Sequence, residues 1–264
     1  LRLLHPFWLL KHRSNNAHAL ASAQLGLRGE GATYGGANAG AQALSAALRC
    51  LAAGAADAAV VMAYDSLIEP EALVELEAAG AITRVWRGLR SAYDEGAAGF
   101  VPGEGAAALV LEPVAKSADR ALAHVSALDA ADGSAQEPEP STVERLVREL
   151  GGAGTQAVDG AGWARPALDR AEREAVGSVV DEGAALTCLA AAFGQTGAAA
   201  SLIQVIALSA CLAKGRLPPV AGLHKAAPGP MRVLSTTEDT RARHAIGLCG
   251  GAPGLLGGVR VELP

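Results

Sequence analysis

The stretch YDEGAAGFVPGEGAAALVLE, residues 93–112, decides the fold. Its last third, AAALVLE (106–112), is a continuous apolar run closed by a charge, the pattern of a strand covered on both faces. GFVPGEG (99–105) before it is a glycine-rich turn feeding that strand, with Gly99, Gly103, Glu104 and Gly105 as its shaping residues. Upstream, DAAVVMAYD (57–65) repeats the pattern of a buried strand. A short acidic helix over 70–79 and an irregular segment over 80–96 separate the two.

Working outward, strands and helices alternate. Residues 15–27 predict a helix capped by Asn15 or Asn16 with Gly26 near its end, and GATYGG (31–36) a short strand running into a glycine turn. AGAQALSAALRCLAA (39–53) is an Ala/Leu helix stopped by Gly54. Beyond 112 come a linker helix over 113–121, a strand over 123–132 and an exposed loop over 133–140. A helix over 141–150 follows, with Ser141 and Glu144 as a capping box. Residues 156–160 are strand-like, 170–177 helical, and 197–213 form a long apolar helix. AIGLCGG (245–251), a glycine-rich loop and a last strand close the chain. Apolar strands alternating with helices imply an α/β layered fold with covered sheets.

Half of the 264 residues are hydrophobic, enough for a sizeable core. Aromatics are only 3% and glycines number 32, so the core is built from small side chains unless the base composition of the gene accounts for them. The net charge of −5, with both signs interspersed and no basic stripe, excludes a nucleic-acid partner and suits a soluble cytoplasmic protein. Cys50, Cys188, Cys211 and Cys249 are far apart with no C-x-x-C pair, which argues against a zinc site or a disulfide framework. LRLLHPFWLL (1–10) is too short to span a bilayer and lacks a cleavage site for a signal peptide. The chain starts at Leu1, which leaves an alternative start, trimming and a fragment all open.

Six segments, in order, resemble the β-ketoacyl synthase (condensing enzyme) family. NNAHALASAQLGLRG (15–29) resembles the helix before that family's nucleophile turn. GGANAGAQAL (35–44) with AAGAADAAVVMAYD (52–65) resembles its nucleophile elbow, buried helix and next strand. Residues 93–112 resemble its "FD…GFV-GEGA–LVLE" stretch. VDGAGWARPALDRAE (158–172) sits where the family has "AHGTGTP–D–E". FGQTGAAASLIQVIALSACLAKGRLPPV (193–220) resembles "GHT-GAAG" and the helix after it, and LCGGAPG (248–254) with VRVEL (259–263) the "GFGG-N" loop and last strand. Each match is weak alone, but six in register cover nearly the whole chain. The resemblance implies a thiolase-like layered α/β/α/β/α fold. The region before the elbow is short for two βα units, so the N-terminal half (1–113) is expected to be incomplete and 114–264 to form the C-terminal half.

The departures from the family bear on function. A condensing enzyme needs a thiolate at a helix N-terminus and two imidazoles to assist malonyl decarboxylation and stabilise the enolate oxygen. The nucleophile position falls on Ala37, the two His positions on Ala161 and Gln195, and the Lys position on Ala190. No residue is therefore assigned a catalytic role, and no cofactor or metal is expected. Gln195, Thr196 and Cys249 are expected to line or gate a pocket, Cys249 taking the place of the family's gating Phe. Gly250 and Gly251 are expected to shape the terminal loop, while Asp169, Glu172 and Pro166 match retained scaffold positions.

The resemblance implies a chain-length-factor-like subunit, paired as a heterodimer with an active β-ketoacyl synthase homologue and docking an acyl carrier protein in polyketide, polyene or fatty-acid biosynthesis. No membrane or nucleic-acid partner is expected. Two other readings stay open: an enzyme of another type using Cys249, with His244 five residues earlier, and a degenerate remnant. Leu3, Leu4, Phe7, Trp8, Leu9 and Leu10 are read as an apolar association surface.

Overall fold

The structure, a computed structural model, describes residues 13, 15–84, 88–117, 119–132, 139–251 and 254–264. The apolar cluster from Leu3 to Leu10 lies outside the described residues. The elements in chain order are α1 (Asn16–Leu25), α2 (Ala39–Ala52), β1 (Ala59–Ser66), α3 (Pro70–Ala78), β2 (Glu104–Leu111), α4 (Val114–Ser117), β3 (His124–Ala131) and α5 (Pro140–Glu149). After these come β4 (Ala157–Asp159), α6 (Pro166–Gly177), β5 (Ala185–Thr187), α7 (Ala190–Phe193), a 3-10 turn (Gly197–Ala199) and α8 (Ala200–Lys214). The chain closes with β6 (Arg216–Leu217), β7 (Arg232–Val233), β8 (Glu238–Asp239), β9 (His244–Gly251) and β10 (Leu255–Glu262).

β1 and β2 pair antiparallel, with Ala59 opposite Leu111 and Ser66 opposite Glu104. The main sheet has six strands in the order β3-β10-β9-β4-β5-β7. β3, β10 and β9 run antiparallel, whereas β9, β4, β5 and β7 are mutually parallel. Helices α2 and α8 lie between the two sheets, and α5 with α6 covers the opposite face of the larger one. The inner core joins Leu44 of α2, Leu202, Val205 and Leu208 of α8, Val61 of β1, and Val259 and Val261 of β10. The outer core packs Val143, Leu146 and Val147 of α5 and Val176 of α6 onto Ile246, Leu248 and Leu256 of the sheet. Fully burying each such side chain contributes about 1.5–3 kcal/mol. Met62, Tyr64 and Val110, on the outer face of the β1–β2 pair, are exposed.

Small residues set the layer spacing. Gly257 and Gly258 are neighbours on β10 and point to opposite faces. A Cβ on Gly257 would come 2.6 Å from that of Ala41 in α2, and one on Gly258 would come 2.9 Å from Leu146 Cδ2 in α5. At Gly40 of α2 a Cβ would meet Ser201 Oγ at 2.4 Å and the Ala198 carbonyl at 2.5 Å, so the bare backbone of α2 packs directly against the start of α8 and the turn before it. The glycine and alanine content therefore has a structural use at these positions.

Several local expectations are corrected. Residues 31–35 form no strand. The capping box at Ser141 and Glu144 does not form, because Pro140 opens α5 one residue earlier and Glu144 faces Arg148 as an ion pair instead. Helix α6 starts at Pro166, not 170, and α4 is a single turn. Gly250 and Gly251, expected in a loop, end strand β9 opposite Leu256 and Leu255, while Glu104 and Gly105 already belong to β2.

Candidate functional site

Ala37 sits in the turn that feeds α2, after Gly36, whose φ of 99° suits glycine. The next residue, Asn38, is 2% exposed and anchors the turn. Its Nδ2 donates to the carbonyls of Leu256 at 3.0 Å and Ala130 at 3.2 Å, while its Oδ1 accepts from Gln42 at 2.6 Å. The elbow is thereby tied to β10 and β3. A Cβ on Gly251 would come 2.5 Å from that of Ala37, so the end of β9 closes against the elbow through bare backbone. Ala37 thus stands two residues before the start of α2, and its side chain is a methyl group.

Ala161 and Gln195 are brought together across 34 positions of sequence. Gln195 Nε2 donates to the carbonyls of Ala161 at 2.6 Å and Gly162 at 3.0 Å. The Gln195 backbone is held by the glycine-rich turn expected at 99–105: its N–H donates to the Val101 carbonyl and its carbonyl accepts from Gly103, both at 2.8 Å. A side chain at Gly103 would collide with the Phe193 carbonyl, and one at Gly99 (φ 105°) with the backbone of Ile82. Thr196 is buried with its methyl group against Gly105, and Ala190 opens α7 half-buried against the outer core. An amide with both of its N–H donors engaged orients a turn, but it exchanges no proton near neutral pH.

Behind the turn lies a buried acid network. The Ala161 N–H donates to Glu172 Oε1 at 2.7 Å, the Tyr93 hydroxyl donates to Glu172 Oε2 at 2.9 Å, and the Gly162 N–H reaches the Tyr93 hydroxyl at 3.3 Å. Asp169 Oδ2 accepts the Tyr93 N–H at 2.9 Å, and Asp169 Oδ1 is buried without a partner. Burial pushes Glu172 up to about 7 and Asp169 up to about 6. On β4, burial also pushes Asp159 up to about 7, opposed by the Leu189 N–H and by the Gln204 amide of α8. Arg173, 4% exposed, donates to the carbonyls of Ala227, Gly229, Pro230 and Met231 and so fastens that loop to α6.

Cys249 is buried on β9 beside Gly257 and Ser201, and burial pushes its thiol up to about 12. His244 does not approach it. The two lie five residues apart on one strand, hence on opposite faces and about 16 Å apart, and the His244 ring bonds to Thr155 at 3.1 Å. No group of three or more His, Cys, Asp or Glu side chains that could hold a metal ion occurs among the described residues.

Sequence reasoning took Asp169 and Glu172 as scaffold positions but missed Tyr93, Asp159, Gln204, Asn38 and Arg173 as polar anchors. One signal was available. Tyr93 stands where the resembled motif has Phe, and a buried tyrosine hydroxyl demands a partner.

The layered architecture is the thiolase-like fold. Residues 5–117 match the beta-ketoacyl synthase N-terminal domain. The chain is 33% identical over 208 residues to the actinorhodin polyketide putative beta-ketoacyl synthase 2 of Streptomyces coelicolor, covering 71% of this chain and 50% of that protein. It is 33% identical over 151 residues to the tetracenomycin polyketide synthase ketoacyl synthase beta subunit of Streptomyces glaucescens, covering 52% of this chain and 36% of that one. The chain belongs to the thiolase-like β-ketoacyl synthase family, and it spans half or less of the length of these curated relatives. The ishigamide ketosynthase/chain length factor superposes with a TM-score of 0.87 at 18% identity, over 99% of this chain and 68% of that one. A type II polyketide synthase acyl-carrier protein in complex with its ketosynthase bound to the hexaketide superposes with a TM-score of 0.88 at 16% identity, over 100% of this chain and 70% of that one.

Proposed function

We propose that this chain is a non-catalytic, chain-length-factor-like member of its family, acting in the cytoplasm as a partner of an active β-ketoacyl synthase in polyketide biosynthesis. The observation that carries the reading is the filled site. Ala37 offers no nucleophile, Ala161 and Ala190 no polar side chain, and the Gln195 amide is engaged by two backbone carbonyls. The active partner would hold the acyl chain on its own cysteine, and this subunit would shape the tunnel and dock the acyl carrier protein. Both curated relatives belong to polyketide systems by name, and one is named as a beta subunit. Residues 1–113 and 114–264 are proposed as the two thiolase-like halves. The pairing is tested by co-expression with an active homologue and size exclusion with mass detection. A heterodimer is expected, and a chain that ignores the homologue at micromolar concentration overturns it. The use of Cys249 as a nucleophile is disfavoured by its burial, its raised pKa and its separation from His244.

A further inference from the structure

A cavity of about 320 Å³ opens at the N-terminal ends of β4, β5 and β7, whereas Ala161 follows the C-terminal end of β4. The buried residues Ala184, Ala185 and Leu217 form its apolar base. Gly183, with φ 77°, stands at its edge with open space where a side chain would be.

Charges of both signs line this cavity, and they are not used up within the chain. Glu238 and Asp239 are each taken by an arginine, Arg232 and Arg216 respectively. The Asp181 and Glu182 carboxylates, the Arg241 guanidinium and the Gln156 amide have neither an ion pair nor a side-chain hydrogen bond among the described residues. Asp181 acts on the His244 ring through space alone. Two segments far apart in sequence supply the unpaired charges: the turn between α6 and β5 carries the carboxylates, and the residues after β8 carry the guanidinium. Arg241 and the two carboxylates line one space yet stand more than 4.0 Å apart, so nothing in the chain bridges them.

We propose that the cavity binds a diamino carboxylic acid that bridges these charges. Its ammonium groups lie on Asp181 and Glu182, its carboxylate lies on Arg241, and its methylene chain covers Ala184, Ala185 and Leu217. The charge count selects this class. Two free carboxylates and one guanidinium match two ammonium groups and one carboxylate, whereas a zwitterion with a single ammonium leaves one carboxylate unmatched and a dianion is repelled. The guanidinium fork suits a carboxylate, and a compact ammonium with three donors suits the acidic rim. The volume falls at the low end of small-molecule sites, roughly 300–1,000 Å³. The site is separate from the elbow and the Ala161 turn, and it does not depend on the pairing proposed above.

The test is calorimetric titration of the full chain with L-lysine as the probe. Cadaverine, which lacks the carboxylate, and ε-aminocaproate, which lacks the second ammonium group, serve as controls. Lysine should bind saturably with a dissociation constant on the order of millimolar, because its ion pairs are partly exposed. Each control should bind about fivefold more weakly. Arg241→Gln should remove the preference for lysine over cadaverine, and Asp181→Asn combined with Glu182→Gln should abolish binding of both. These side chains make no bond that holds the fold, so both variants should keep the wild-type melting temperature, which separates loss of the site from loss of structure. Absence of saturable lysine binding up to about 50 mM overturns the site, as does equal binding of lysine and cadaverine to the wild type or an unchanged lysine affinity in either variant.

Discussion

Replacing Ala37 by cysteine separates scaffold from chemistry. Position 37 is two residues before the start of α2 and is half-buried, so a thiol there would face the positive end of the helix. A helix end of this kind favours an anion by about 0.3–1 kcal/mol. At about 1.4 kcal/mol per pK unit, that lowers a thiol from about 8.5 to about 8. The deeper lowering seen in activated thiols needs an imidazolium or another cation, and positions 161 and 195 hold Ala and Gln. Ala37→Cys should therefore react with iodoacetamide near neutral pH at close to the rate of a free thiol, which the wild type lacks at this site. Condensation should remain absent. One missing general acid or base costs about a hundredfold or more, and the groups of such a site act as a unit. The assay is intact-mass detection of an acyl-protein after incubation with acyl carrier protein, with release of carbon dioxide from malonyl carrier protein alongside. Condensation within about tenfold of an active homologue would refute the reasoning, because the other substitutions would then be irrelevant.

Other outcomes follow from the same geometry. Gln195→Ala removes the donor to two carbonyls, one on the buried Ala161, and should cost about 1–3 kcal/mol, seen as a lower melting temperature; an unchanged melting temperature counts against the clamp. Gly40→Ala places a methyl 2.4 Å from Ser201 Oγ and should destabilise by about 1–3 kcal/mol in urea titration; a neutral effect would mean that α2 and α8 are free to separate. Iodoacetamide should label Cys249 only in denaturant, whereas the half-buried Cys50 and Cys211 should react earlier; native labelling of Cys249 by peptide mapping would revive its reading as a nucleophile.

Much of this molecule was legible because its signals are local. DAAVVMAYD and AAALVLE are long enough to show a buried strand by pattern alone, and they form β1 and β2 as an antiparallel pair. The Ala/Leu run after the elbow declares α2, and the six ordered motifs located Ala37, Ala161, Ala190 and Gln195. Strands β4 and β5, of three residues, and β6, β7 and β8, of two, are too short to carry any period, and of these only β4 was anticipated. The false capping box arose because a short sequence pattern cannot reveal that Pro140 begins the helix one residue before Ser141.

By itself the sequence determined the layered α/β class and the order of the longer elements, since these depend on residue type and near-neighbour spacing. The tertiary structure alone decided which distant residues meet around the Ala161 turn and the elbow. Gln195 meets Ala161 across 34 positions, Tyr93 meets Glu172 across 79, and Asn38 meets Leu256 across 218. The alternation of β9 places His244 and Cys249 on opposite faces. Burial, which no local pattern states, raises Asp159, Asp169, Glu172 and Cys249 out of their ordinary ranges, because removing a charge from water costs free energy wherever the chain happens to place it.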